Sequence, residues 1–331
     1  MKLSYINLYT TDPSFNLAAE QYVFDCLPKD RTWFMLWQND RAVIIGKYQN
    51  TAAEINESYV RENGIRVVRR LSGGGAVYHD MGNLNYTFIT DAPEAERINM
   101  KLFCEPVVET LKEFGVEAVI NGRNDITVNG KKFSGNSQYI KNGRVMHHGT
   151  VMLSSDLDVV ERVLNTDAEK VSSKGIKSVR SRVTNILEHA IPGTDLESFR
   201  AALINNVCSN AEASEYVLAA EDISRIEAIR QERYLSWDWN YGRSPACSMM
   251  KSRRIEGCGR IEAYITSLHG VVEEISFRGD FFSVSEPDGL SELLKGIKLE
   301  DAALREALSD VDLNVYFAGI DEESFISLLL G

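Results

Sequence analysis

The sequence predicts an α+β protein in two parts: a larger mixed-sheet domain over residues 1–245 and a small α+β domain over residues 246–331. Three observations carry this. Strand-like and helix-like stretches interleave without an internal repeat through the first part. Near Pro245 the texture changes, and strands come first with helices after. The length, 331 residues, is about two domains at roughly 150 residues each. A hydrophobic content of 44% with 25% charged residues excludes disorder, collagen and coiled coil as the dominant state.

In chain order, KLSYINLY alternates as a strand. Asp12-Pro13 then reads as a helix N-cap with proline at the first helical position, opening SFNLAAEQYVFDCL. TWFMLWQ and RAVIIG read as strands with Asn39-Asp40 as the turn between them. NESYVRENG is a short helix ended by Gly64. IRVVRR is a strand running into the glycine loop LSGGG, and GNLNYTFIT is another strand. RINMKLFCEPVVETLKEFG reads as a helix and VEAVI as the strand after it. DITVNGKKFSG is a hairpin, because Asn129-Gly130 tolerates positive φ at both turn positions. MHHGTVML is a strand and LDVVERVLN a helix. Thr194 and Glu197 have capping-box spacing before ESFRAALINNVCSNA. EDISRIEAIRQERYLS is a further helix, followed by the aromatic cluster Trp237, Trp239 and Tyr241. Beyond it, GRIEAYITSLHG and VVEEISFRGDFFSV are strands of the small domain, and GLSELLKGI and DEESFISLLL are helices.

The charge balance narrows the function. Lys plus Arg is 36 and Asp plus Glu is 48, a net charge of −12, so a general nucleic-acid binder is not expected. No stretch approaches the ~20 apolar residues that span a bilayer. The start, MKLSYINLYTTDPSF, lacks the apolar core of a signal peptide. The cysteines Cys26, Cys104, Cys208, Cys247 and Cys258 are odd in number and scattered, which suggests reduced thiols and a cytoplasmic home. The five histidines form no HExxH. The expectation is a cytoplasmic monomer without nucleic-acid or membrane partners.

Four polar clusters are candidates for chemistry. The first is Arg69-Arg70-Leu71-Ser72-Gly73-Gly74-Gly75-Ala76-Val77-Tyr78-His79-Asp80. Three glycines after a strand let the backbone approach a ligand, and successive N–H groups make an anion nest. No Gly-Lys-Ser/Thr follows, so it is not a Walker A loop, and the last glycine of the dinucleotide fingerprint is missing. A plain glycine-rich turn with exposed arginines would have the same spacing. Ser72, His79 and Asp80 are too close in sequence for a hydrolase triad, and no GxSxG surrounds the serine. The second cluster is Gly122-Arg123-Asn124-Asp125 with Lys131-Lys132-Phe133-Ser134-Gly135. A lysine here would suit phosphate or carboxylate oxygens. Asn124 and Asp125 offer oxygens to Mg²⁺, which takes one or two carboxylates plus substrate phosphates; solvated hairpin lysines and a turn aspartate would look the same. The third is His147-His148-Gly149-Thr150, where adjacent strand residues face opposite ways and cannot easily share a metal. The fourth, Lys174 to Val183, is the most basic stretch, suited to pyrophosphate or an acidic partner if it is not simply a solvated loop.

RRLSGGGAVYHDMGNLNYTFIT, GRNDITVNGKKFSGNSQYIKNGRVMHHGTVML and KGIKSVRSRVTNIL, in that order, closely resemble the lipoate–protein ligase family, and WDWNYGRSP is similar to the segment that closes its large domain. The resemblance is dense between Arg69 and Leu187 and weaker after Ser248. It implies a catalytic domain of the biotin/lipoate ligase type with a small C-terminal accessory domain. It implies two steps: lipoate and MgATP give lipoyl-AMP and pyrophosphate, and the lipoyl group then passes to an acceptor lysine. The implied acceptors are lipoyl domains of 2-oxoacid dehydrogenase acyltransferase subunits and the glycine-cleavage H protein.

By resemblance, Lys132 is the family's central lysine and would contact both the carboxyl oxygen and the α-phosphate. If the hairpin alternates cleanly, only one of Lys131 and Lys132 can face the cleft. Arg70, Gly73, Gly74, Gly75, Ala76, Asn124 and Asp125 are the expected nucleotide and phosphate ligands, Asp125 also the expected Mg²⁺ carboxylate. Both reactants of the first step are anions, so cations and N–H donors are what the chemistry requires. Trp37, Ser72, Tyr78, His79, His148 and Gly149 are the expected lipoyl-binding residues. Rival readings are an acyl-cysteine lipoyl or octanoyl transferase, a transferase lacking efficient activation, and a non-catalytic lipoate or nucleotide binder. The first needs a reactive thiol in the cleft, and no cysteine sits beside the clusters. A biotin ligase is disfavoured by the lack of a GRGRxGR-type loop.

Overall fold

The computed structural model describes residues 2–91, 100–121, 124–165, 179–209, 211–244, 247–279, 281, 283 and 285–331. Fourteen strands are assigned among them: β1 (Lys2–Asn7), β2 (Thr32–Trp37), β3 (Ala42–Ile45), β4 (Arg66–Arg69), β5 (Val77–His79), β6 (Asn83–Asp91), β7 (Val119–Asn121), β8 (Asp125–Val128), β9 (Lys131–Lys141), β10 (Arg144–Met152), β11 (Glu212–Glu215), β12 (Cys247–Ile255), β13 (Gly259–Leu268) and β14 (Val271–Gly279). Mixed sheets and helices make this an α+β protein.

The described chain falls into two compact units. One holds residues 1–47, 66–161 and 166–236; the other holds residues 48–65, 162–165 and 237–331. The first is built on an eight-stranded sheet of order β11-β1-β2-β6-β10-β9-β8-β7 and a three-stranded sheet of order β4-β3-β5. Pairing is parallel at β11/β1, β1/β2 and β3/β4 and antiparallel elsewhere. One face of the large sheet carries Tyr86, Phe88, Phe133 and Val151, packed with Val107 and Leu111 of helix Lys101–Glu113 and Phe199 and Leu203 of helix Leu196–Cys208. Helix α1 (Pro13–Cys26) is buried over most of its length. Its start is as the sequence indicates: the Asp12 carboxylate accepts from Ser14 N at 2.8 Å and Phe15 N at 3.1 Å, with Pro13 leading the first turn.

Three local expectations are corrected. β2 and β3 do not form a hairpin: β2 pairs with β1 and β6, and β3 with β4 and β5. Both strands are fully buried, and the turn between them, with Arg41 at φ 39°, carries the chain from one sheet to the other. The helix over 196–208 is capped one residue later than expected. Asp195 accepts from Ser198 N at 2.8 Å, while the Thr194 hydroxyl donates back to Ile191 O. A carboxylate is the stronger cap acceptor. The helix over EDISRIEAIRQERYLS is regular only from Ala220 to Ile229 and then widens into a π turn, Arg230–Tyr234. β5, β11, β12 and helix Asp301–Leu308 had no clear sequence signal.

In the second unit, β12-β13-β14 is an antiparallel meander. Ile261, Ala263 and Ile265 of β13 and Val272, Ile275 and Phe277 of β14 pack with Leu290, Leu294, Leu304, Phe317 and Phe325 in one core. Period-two burial on β13 is what a sheet with one covered face requires. Among the described residues, no helix is long and apolar enough to cross a membrane.

Candidate active site

A cleft opens in the first unit. Arg70, Gly74, Gly75 and Ala76 line it from the glycine loop, and Ile44, Val77 and His79 from the small sheet. The floor comes from the large sheet, on the face opposite its helix-covered core. Cross-strand partners run over it from β9 to β2. Gly135 N donates to Thr150 Oγ1 at 3.1 Å, Thr150 is paired with Asn85, and Asn85 with Trp37. At about 4.8 Å per strand spacing, Gly135 and Trp37 lie about 14 Å apart across the floor.

Lys132 stands at the β9 end. The β8/β9 ladder slips between Ile126 and Thr127, so that Thr127 faces Lys132 and Ile126 faces Ser134. This bulge buries Phe133 completely while Lys132 lines the cleft. Lys131 is exposed and not part of the lining. The Lys132 ammonium lies 2.7 Å from Asp125 Oδ1. Both side chains are more than a third exposed, and an exposed ion pair is worth only about 0–1 kcal/mol, so the ammonium can leave it for a ligand oxygen. Gly135 makes room for it: a Cβ there would sit 3.0 Å from Lys132 Nζ. Val183 bridges to Lys132, and Thr184 N donates to Lys132 O at 2.9 Å, so the end of the basic stretch is tied to this lysine's backbone. Residues 174–178 of that stretch lie outside the described residues, as do Gly122 and Arg123 of the second cluster and Pro245.

The glycine loop is shaped by Arg70. Its Nη2 donates to Gly73 O at 2.7 Å and Gly75 O at 2.9 Å, its Nη1 to Ile44 O at 3.0 Å and its Nε to Ser72 Oγ at 3.1 Å. Gly74, at φ 93°, is in a conformation that favours glycine, and a Cβ would meet Arg70 Nη2 at 3.0 Å. Ser137 Oγ also donates to Gly73 O, at 2.7 Å. Burial pulls the Arg70 guanidinium down to about 10, the nearby Glu20 charge partly opposing it, and burial pulls Arg69 down to about 10 as well. Both remain cations at neutral pH.

Behind the loop runs a chain of hydrogen bonds that converges on Glu20. Ser72 Oγ accepts from Arg70 and is hydrogen-bonded to His148 Nε2 at 2.6 Å. On its other side His148 Nδ1 donates to Glu20 Oε1 at 3.1 Å. Glu20 also accepts from Thr87 Oγ1 at 2.5 Å, and Thr87 accepts from Trp37 Nε1 at 2.9 Å. His148 thus links Ser72, and through it Arg70, to Glu20. Glu20, 1% exposed, went unnoticed in the sequence; its only signal was an acid inside the apolar run of α1.

The expected site residues are gathered unevenly. Trp37, Arg70, Gly74, Gly75, Ala76, His79, Asn124, Lys132, His148 and Gly149 line the cleft. Tyr78 does not: alternation along β5 turns it away from the side of Val77 and His79. Ser72 is buried behind the loop, Gly73 acts through its carbonyl, and Asp125 is the partner of Lys132. Gly149 is glycine for the core side, because a Cβ would lie 2.6 Å from the Tyr86 ring and collide with Asn136 Oδ1. His147 faces that core too, stacked on Phe103, and burial holds its imidazole neutral, down to about 3. Leu17, Ile44, Asn85 and Ser137 are lining residues that sequence reasoning missed. The Ser72–His79–Asp80 grouping is absent, since His79 Nδ1 meets Asn39 and Asp80 accepts from Gly82 N and Asp156 N.

No described cysteine lines the cleft. Burial pushes the Cys104 thiol up to about 11, the reverse of what an acyl-cysteine mechanism needs. Among the described residues there is also no group of three His, Cys, Asp or Glu able to hold a metal ion.

The model of the lipoyl protein ligase A/B catalytic domain matches residues 12–208, and that of the bacterial lipoate protein ligase C-terminus matches residues 244–329. The chain belongs to the lipoate–protein ligase family. It is 43% identical over 326 residues to the lipoate-protein ligase LplJ of Bacillus subtilis, covering 98% of each chain. In structure it is similar to the bipartite lipoate protein ligase of Thermoplasma acidophilum, studied with its E2 lipoyl domain, at TM-score 0.67 and 27% identity over 73% of this chain and 97% of that one. It is also similar to a lipoate-protein ligase A bound with ATP, at TM-score 0.63 and 25% identity over 73% of this chain and 99% of that one. Family membership makes this chain an enzyme of the ligase class, and the cleft is its candidate active site.

Proposed function

We propose that this chain is an ATP-dependent lipoate–protein ligase whose central residue is Lys132. Lipoate lies along the cleft floor with its carboxylate at the Lys132 end and its tail toward Trp37. A lipoate carboxylate oxygen attacks the α-phosphorus of ATP, the bond to the β-phosphate breaks, and pyrophosphate leaves. Lys132 gives up Asp125 for the oxygens of the two anions. The cationic Arg70 holds the glycine loop, and the main chain at Gly74 and Gly75 approaches the phosphates. In the second step a neutral acceptor lysine attacks the lipoyl carbonyl, the bond to AMP breaks, and the amine proton leaves. Lys132 stabilises the oxyanion formed there.

Asn124 is cross-linked to β9 through Asn136 O at 3.1 Å and sits where it can contact the nucleotide. Mg²⁺ would arrive with the triphosphate. The single carboxylate of Asp125 suits an ion that takes one or two carboxylates and completes its shell with phosphates and water; its chemistry there would be charge neutralisation. In this reading residues 1–245 are the catalytic domain and residues 246–331 an accessory domain. The acceptors are lipoyl domains of 2-oxoacid dehydrogenases and the glycine-cleavage H protein, and the enzyme works as a cytoplasmic monomer. The ATP-bound relative and the relative studied with a lipoyl domain support this reading.

The observation that carries it is the pairing of a displaceable ammonium, Lys132, with an arginine-braced glycine loop at one cleft. Lipoate-dependent release of pyrophosphate from MgATP by the purified chain tests it. Release that needs lipoate is expected; no release, or release indifferent to lipoate, contradicts it.

A further inference from the structure

Two buried nitrogen atoms at the Trp37 end of the cleft have no hydrogen-bond partner among the described residues: His79 Nε2 and Asn85 Nδ2. His79 is 3% exposed and Asn85 1%, and both line the cleft. For His79, neighbouring bonds fix which atom it presents. Asn16 Nδ2 faces the carbonyls of Thr10 at 3.0 Å and Gln38 at 2.7 Å, so it is the amide nitrogen, and it donates to Asn39 Oδ1 at 3.0 Å. Asn39 therefore turns its Nδ2 toward His79 Nδ1, at 3.1 Å. His79 Nδ1 must accept. Burial and the nearby Arg70 cation hold the ring neutral, so its one proton is on Nε2. Asn39 is fully buried and does not line the cleft, and the ring edge opposite it carries the unpaired Nε2–H. The Asn85 Oδ1 accepts from Asn83 Nδ2 at 3.0 Å, and the Asn85 Nδ2–H is left without a partner among the described residues.

We propose that His79 Nε2–H, with the Asn85 amide of the same cleft, reads the far end of the acyl substrate and favours a tail that carries acceptor atoms over a plain hydrocarbon tail. The inference rests on the proposed function, which lays the tail from Lys132 toward Trp37. The Trp37 and His79 rings are 6.1 Å apart, so the His79 edge lies close to an aromatic wall. A buried donor left unpaired is costly. A dithiolane ring brings two sulfurs, weak acceptors, to these N–H groups; the methyl end of octanoate brings none and leaves both donors dry. His79 is then a specificity-determining residue, and Asn39 and Asn16 are positioning residues that set its tautomer.

The test measures lipoate and octanoate binding to the full chain by calorimetry, in wild type, His79→Phe and His79→Gln. Wild type should prefer lipoate. The ratio of the two dissociation constants should narrow about tenfold in His79→Phe, the size expected for one weakly paired buried donor. His79→Gln, which keeps an N–H donor, should retain more of the preference. A ratio unchanged in His79→Phe overturns the inference while leaving lipoate binding, and so the functional reading, in place. Failure of wild type to bind either acid overturns both. If the variants do not fold, ¹⁵N-histidine spectra of the wild-type chain decide. A proton on His79 Nε2, with a resonance that moves on adding lipoate and not octanoate, supports the inference; a proton on Nδ1, or an equal response to both acids, overturns it.

Discussion

Lys132 differs from Lys131 by one position and by everything around it. One lines a cleft over Gly135 and the other faces solvent. Lys132→Ala should abolish lipoate-dependent pyrophosphate release, by about 10²–10³-fold or more for loss of a principal oxyanion partner, with the melting temperature unchanged; release that survives would remove Lys132 from the mechanism. The glycines of the loop separate two effects. Gly74→Val should block ATP binding, but its backbone at φ 93° and the clash with Arg70 disturb the loop as well. At Gly75 a Cβ meets nothing within 4 Å and φ is unexceptional. Gly75→Ala should therefore leave stability intact and weaken ATP binding alone, as calorimetry can show; equal ATP affinity in both variants and wild type would contradict the loop assignment. The loop and the lysine were legible because each is a short local motif. Glu20 was not, because its meaning depends on His148, 128 residues away, and Asn85 was not, because an asparagine in a strand carries no sign of which face will be a cleft floor.

Strands set the cleft by alternation, and the clearest consequence is at Gly149 on β10. Its neighbours His148 and Thr150 face the cleft, while its own missing side chain points at Tyr86 and Asn136. Gly149→Ala should overpack that side and destabilise the fold by about 1–3 kcal/mol, read as a fall in the urea midpoint; an unchanged midpoint would mean that Tyr86 and Asn136 move freely, against their shared hydrogen bond. Elements with their own turn chemistry were readable in advance. Asn129 and Gly130, at φ 50° and 76°, make the two-residue turn that their identity indicates, and Asp12-Pro13 begins α1. The separation of β2 from β3 was hidden because an apolar strand buried on both faces looks alike whichever sheet receives it. The short β5 and β11 carry too few residues to show a period.

For the molecule as a whole, burial of neutral histidines makes folding pH-dependent. His79 and His147 are held down to about 3 by burial, against about 6.5 in the unfolded chain. Between these values the unfolded chain binds more protons than the folded one. Their stabilisation is complete above about pH 6.5 and is lost as pH falls toward 3, each histidine adding a slope of about 1.4 kcal/mol per pH unit. Urea unfolding followed from pH 7 to pH 4 should show the decline, and His147→Phe should flatten it; identical slopes would contradict the assignment. The chain's central claim, that one cleft both activates lipoate and delivers it, is tested most directly by the intact mass of an apo acceptor, the glycine-cleavage H protein or a lipoyl domain, incubated with this chain, lipoate and MgATP. A gain of one lipoyl group that needs both lipoate and ATP is the predicted result. A gain that occurs only with preformed lipoyl-AMP, or no gain on either acceptor, would contradict it.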